Sequence, residues 1–155
     1  MKVEYSDKFS SAEPSIFLAG PTSRACGLTE WRQTALNFLA FYKFNGAVYV
    51  PERSNDKQYD YNIQVEWERE HLNKSTVILF WVPREIHTLP GFTTNVEFGY
   101  WMAKYPRKCI YGRPDNAENT KYLDWLYTKE TGRKPIKFLS ELVTGAIELA
   151  EELNK

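Results

Sequence analysis

Thr76-Val77-Ile78-Leu79-Phe80-Trp81-Val82 is the stretch on which the reading of this fold turns. Its near-continuous apolar character fits a strand covered on both faces. Working outward, Ser15-Ile16-Phe17-Leu18-Ala19-Gly20 ends in Gly and Pro and reads as a second buried strand. Ala47-Val48-Tyr49-Val50 is a third, closed by Pro51, and Lys108-Cys109-Ile110-Tyr111 a fourth. Pro135-Ile136-Lys137-Phe138 offers a further short one.

Helical patterns separate these strands. Residues 29–44 repeat apolar side chains at Trp31, Ala35, Leu36, Leu39 and Ala40, with Thr29 as N-cap and Asn45-Gly46 as the stop. Further helices are expected over 63–73, over 95–103 behind a Thr93 or Thr94 cap, over 117–128 and over 139–153. Residues 1–14 read as a loosely ordered lead-in. With no repeat or linker-like tract, the chain 1–155 reads as a single domain. Strands alternating with helices imply an α/β fold, a parallel sheet between helix layers. Ligands bind such sheets beyond the C-terminal strand ends. The loops 20–26, 51–61, 83–94 and 112–119 all follow strands, so they gather on that edge.

Composition narrows the function. The 155 residues carry 20 Lys and Arg against 20 Asp and Glu, and this zero net charge speaks against a nucleic-acid partner. Aromatic residues reach 15%, a content suited to a core and to stacking a flat ligand. Cys26 and Cys109 match no metal-ligand spacing and read as free thiols of a reducing compartment. The polar start lacks a signal-peptide core and no apolar run approaches a membrane span, so a cytoplasmic protein without membrane contact is expected. His71 and His87 are the only histidines, and no ligand set surrounds either. No metal or cofactor is expected, and no Gly-x-Ser-x-Gly elbow suggests a hydrolase triad.

Three segments can carry chemistry. Glu97 lies in Thr93-Thr94-Asn95-Val96-Glu97-Phe98-Gly99-Tyr100, placed by this reading in the first turn of a helix, whose dipole would keep it ionised. An ionised carboxylate at a strand-edge cleft can attack an anomeric carbon; the alternative is an ordinary capping Glu. Glu66, Glu68 and Glu70 lie on one charged helix; Glu66 and Glu70 share a face and Glu68 points elsewhere. A second carboxylate suits protonation of a leaving group, against the alternative of a solvated helix face. The turn Gly20-Pro21-Thr22-Ser23-Arg24 offers hydroxyls, N–H groups and an Arg for an anion or a sugar hydroxyl, or is a plain turn.

Together, Ile16 to Thr22, Val48 to Glu52, Val65 to Glu68, Val77 to Arg84 and Pro90-Gly91-Phe92-Thr93-Thr94-Asn95-Val96-Glu97-Phe98-Gly99 resemble the nucleoside 2-deoxyribosyltransferase family, in particular its short deoxyribosyltransferase-like branch. The resemblance implies a flavodoxin-like three-layer sandwich with a parallel five-stranded sheet. It implies exchange of the base of a 2'-deoxynucleoside through a covalent deoxyribosyl-glutamate, so the partners are deoxynucleosides and free purine or pyrimidine bases. The family nucleophile falls on Glu97. The family's second acid, usually Asp, falls on Glu68. The first-strand aromatic, Tyr in many members, falls on Phe17, which has no hydroxyl to offer the nucleophile. The family Asp six residues before the nucleophile falls on Gly91, with Asn95 or a loop residue standing in. Gly20, Pro21, Thr22, Arg24, Phe92, Thr93 and Thr94 are the further substrate-binding candidates, and Phe17, Trp81 and Phe92 would sandwich base and sugar. An Asn borrowed from a neighbouring subunit falls on Asn119 or Asn116, which implies a homo-oligomer. Two alternatives stand beside base exchange. One is a 5'-monophosphate N-glycosidase, with Thr22, Ser23, Arg24 and Thr93 around the phosphate. The other is a catalytically silent nucleotide-binding module.

Overall fold

Alternation along the strands decides which helix covers which face of the sheet. The computed structural model describes residues 1–6, 14–23, 28–52 and 60–155. Its elements are β1 (Lys2–Tyr5), β2 (Ser15–Ala19), α1 (Glu30–Phe41), β3 (Ala47–Val50), α2 (Tyr61–Lys74), β4 (Val77–Trp81), α3 (Phe92–Lys104), β5 (Cys109–Gly112), α4 (Lys121–Thr131) and α5 (Leu139–Leu153). All strand pairs are parallel, in the order β1-β3-β2-β4-β5. Ile16, Leu18, Val48, Val50, Val77 and Leu79 face one way and pack on Trp31, Ala35 and Leu39 of α1 and on Leu142, Val143 and Ala146 of α5. Their neighbours Phe17, Tyr49, Ile78 and Phe80 face the other way. They meet Trp67 and Leu72 of α2, Phe98 and Met102 of α3 and Tyr127 of α4. Both faces of the sheet are therefore dry, which is why its strands are continuously apolar rather than alternating. The result is the expected three-layer α/β fold of flavodoxin-like kind.

The sheet reaches five strands by a different route from the one read in the sequence. Residues 2–5, expected in a loosely ordered lead-in, form edge strand β1, paired with β3 from Lys2↔Ala47 to Tyr5↔Val50. The segment Pro135–Phe138 supplies only a single parallel bridge, Gly112↔Ile136. The difference follows from pairing: Val3-Glu4-Tyr5 finds the open edge of β3, an event that local sequence does not record.

Helix boundaries also moved. Helix α2 starts at Tyr61 because Asp60 accepts the N–H groups of Asn62 at 3.0 Å and Ile63 at 3.2 Å. Helix α1 ends at Phe41 and the chain turns at Lys43, φ 56°, before Asn45-Gly46 is reached. Helix α4 begins at Lys121, since Ala117 and Glu118 are held in a turn by the carbonyls of Pro114 and Arg84. Helix α3 begins at Phe92 with Gly91 at its N-cap, so neither Thr93 nor Thr94 caps it.

Strand order places the site. From β2 the chain crosses to β3 on one side and then to β4 on the other. The loops leaving β2 and β4 thus diverge, and a crevice opens at the C-terminal ends of the central strands.

Candidate active site

A cavity of about 290 Å³ lies in that crevice. Gly20 and Thr22 follow β2, Pro51 follows β3, Gln64 and Glu68 come from α2, Gly91 caps α3, and Phe92 to Thr94 with Glu97 come from α3 itself. Arg32 of α1 completes the wall.

Glu97 sits in the second turn of α3, and no acidic residue occupies the first. The expectation of a dipole-stabilised, ionised carboxylate is corrected accordingly. Burial pushes its carboxyl up to about 8, the Glu68 carboxylate adds to the rise, and the Arg32 guanidinium opposes it. Glu68 is raised as well, chiefly by burial, with a hydrogen bond from Gln64 and the charge of Arg32 holding it back. Gln64 lies one turn ahead of Glu68. Its Nε2 donates to Glu68 Oε1 at 2.6 Å and to the Pro51 carbonyl at 3.2 Å, so it ties α2 to the end of β3. Two carboxyls from different helices therefore share one cavity, and with Glu97 held at about 8 the pair retains a proton at neutral pH.

Behind them lies a buried charged network that the sequence reading did not single out. Arg32 is 1% exposed. Its Nε donates to the Leu18 carbonyl at 3.1 Å, Nη2 to the Gly20 carbonyl at 2.7 Å, and Nη1 to Thr22 Oγ1 at 2.9 Å and Glu52 Oε1 at 3.0 Å. Glu52 also accepts the Thr29 backbone N–H at 3.1 Å and the Thr29 hydroxyl. Thr29 is thus at the N-cap of α1, but its side chain serves Glu52 rather than the helix. One signal was available. Arg32 shares the helix face of Ala35, Leu36 and Leu39, and a cation on a buried face demands a buried partner. Trp31 stacks on the Arg32 guanidinium at 4.5 Å and donates Nε1–H to the Pro21 carbonyl at 2.9 Å. Adjacent α1 residues thus hold three successive residues of the turn after β2.

Gly91 explains itself by geometry. Its φ is 63°, and a Cβ there would stand 2.8 Å from Pro21 Cγ. An Asp at this position would have to push the turn after β2 away, so the departure from Asp belongs to the packing of α3 against Pro21.

Of the remaining candidates, Gly20, Thr22, Phe92, Thr93 and Thr94 line the cavity. Pro21 is buried beside it, under Gly91. Phe17 does not line it: the ring is 1% exposed and packs 6.1 Å from Trp67 in the core. Trp81 points into the opposite core, with Leu79 and Ile110. The expectation that Phe17 and Trp81 sandwich the substrate is therefore corrected: on a sheet covered on both faces, strand side chains are consumed by the helix layers. Phe92 is 70% exposed at the rim, where Tyr61 adds a second ring. Asn95 is outside the cavity and accepts from Arg84 Nη2. Arg84 also donates to the Pro90 carbonyl at 2.7 Å and the Asn119 carbonyl at 2.9 Å, fixing the loop into α3. Asn119 and Asn116 are exposed and away from this chain's cavity. Arg24 and Cys26 lie outside the described residues, as does most of the 51–61 loop. No group of His, Cys, Asp and Glu among the described residues is arranged to hold a metal ion, and none of their helices is long and apolar enough to cross a membrane.

The sequence model of a family described as nucleoside 2-deoxyribosyltransferase like matches residues 13–116. That span contains every described residue of the cavity wall. No curated protein matches the chain.

Proposed function

The chain belongs to the nucleoside 2-deoxyribosyltransferase-like family, and from that premise we propose that it exchanges the base of a 2'-deoxynucleoside, with Glu97 as nucleophile and Glu68 as proton donor and acceptor. The observation that carries this reading is that Glu97 and Glu68, from two different helices, line one cavity wall. In the first step a Glu97 oxygen bonds to C1', the C1'–N bond breaks, and its electron pair leaves on the base nitrogen, which takes the proton of Glu68. In the second step a nitrogen of the incoming base attacks C1', the ester bond breaks, and Glu68 recovers the proton lost by that base. Phe92 and Tyr61 at the rim supply flat apolar surface for the base.

Among the described wall residues Arg32 is the one cation, and it is already paired with Glu52. Chromatography of the purified protein with 2'-deoxyinosine or thymidine, with and without free adenine or cytosine, tests the proposal. A new deoxynucleoside that forms only with acceptor base is the expected result. Free base released regardless of acceptor, faster from the 5'-monophosphate, would replace it with hydrolysis. No turnover of any donor would leave a binding module.

The shared proton sets a pH profile. The working form has Glu97 ionised and Glu68 protonated, so kcat/KM is bell-shaped. It falls above about 8, where the pair loses its last proton, and again in acid, where both carboxyls are protonated. Glu68→Gln lowers the rate by roughly 10²- to 10⁴-fold and abolishes the alkaline limb, because no dissociable donor is left. An alkaline limb unchanged in that variant would remove Glu68 from the proton path.

A further inference from the structure

Arg32 is a fully buried cation at this site, and its hydrogen bonds alone do not require a charge. The carbonyls of Leu18 and Gly20 and the Thr22 hydroxyl, all at the mouth of the sheet, could be satisfied by water or a neutral donor. A fully buried guanidinium is expensive unless its charge is used, and its only ionic hydrogen-bond partner among the described residues, Glu52, lies behind it. Its remaining face forms part of the cavity wall that also carries Glu97 and Glu68. Four hydrogen bonds to fixed acceptors leave the guanidinium no other position.

Resting on the base-exchange reading of this cavity, we propose that Arg32 is a positioning residue whose fixed positive charge sets the ionisation of the Glu97–Glu68 pair, with Glu52 as the counter-ion that makes its burial tolerable. Arg32 acts through the two carboxyls. Among the described residues, the titratable and charged groups facing the pair are Arg32 from α1 and Tyr61 from the start of α2, with Glu52 behind Arg32. The charge of Arg32 acts on both carboxyls and lowers both. Without it, Glu97 would hold its proton more tightly, and the ionised nucleophile would be scarcer at neutral pH.

The test uses two variants. Arg32→Met with Glu52→Gln removes the ion pair without leaving a lone buried charge, and Arg32→Lys keeps the charge while losing the fork. In the double variant the alkaline limb of kcat/KM moves up by about 1 pH unit and kcat at pH 7 falls about 10-fold. In Arg32→Lys the limb stays at its wild-type position. A readout independent of turnover is the pH dependence of the unfolding midpoint, compared in each background with and without Glu97→Gln. That difference titrates Glu97 directly, and its midpoint moves up in the double variant only. A limb and midpoint unmoved in the folded double variant overturn the proposal, as does a Lys variant whose limb shifts by as much. Turnover retained in Glu97→Gln would instead overturn the base-exchange reading, while the stability titration would still report on Arg32.

Discussion

Glu97→Gln removes turnover and stabilises the protein, and the two effects have one cause. The amide cannot form the ester to C1', so kcat falls on the order of 10⁴- to 10⁶-fold, as for loss of a covalent nucleophile. The same carboxyl is held at about 8 in the folded protein. A folded pKa raised above the unfolded one means that the native state binds the proton more tightly. Its stability contribution is therefore intact below about 4.5 and declines as pH rises towards 8, beyond which the loss is complete. At pH 7 the unfolded chain ionises Glu97 while the fold still holds its proton, and the stability lost relative to acid is about 3 kcal/mol, a loss that Gln avoids. Urea unfolding of both proteins at pH 7 and pH 4.5 checks this. The variant is expected to be more stable at neutral pH and equal to wild type in acid. A variant that turns over at wild-type rate, or a stability gap with no pH dependence, would remove Glu97 from its assigned place.

Gly20→Ala has the largest structural effect. Gly20 has φ 152°, and a Cβ there would stand 2.1 Å from the Trp81 carbonyl oxygen and 2.8 Å from Trp31 Cζ2. The carbonyl is the backbone of a central strand and cannot yield. Backbone strain of ~1–3 kcal/mol adds to an overlap costing ~1–3 kcal/mol, so about 3–5 kcal/mol is expected. That is a large share of the ~5–15 kcal/mol that holds a domain together. The displaced turn would also lose the bond from Arg32 Nη2 to the Gly20 carbonyl, so activity falls in whatever fraction folds. The urea midpoint measures the first effect. A loss under about 1 kcal/mol would show that the turn after β2 relaxes freely.

What could be read in the sequence follows the range of the interactions involved. The strands β2, β3, β4 and β5 were legible because a sheet covered on both faces needs continuous apolar runs, and those runs are local. Edge strand β1 was not, because Val3-Glu4-Tyr5 owes its conformation to the open edge of β3, over 40 residues away in sequence. Helix α5 is legible over its full length, Leu139–Leu153, from periodicity alone. The start of α3 was misread, since Gly91 enters it through a positive φ fitted against Pro21, a contact invisible at the level of caps.

The site divides along the same line. The sequence by itself determined the α/β class and the strand-end edge on which to search, because these depend on periodicity, and its family resemblance pointed to Glu97 and Glu68 as the carboxyls to examine. Only the tertiary structure decided which aromatic rings face the cavity and which fill the core, since Phe17 and Phe92 look alike until the sheet is covered. Only it joined Arg32 to Glu52 and aimed that pair's charge at Glu97, because electrostatic coupling depends on distance through a dry interior and not on separation along the chain.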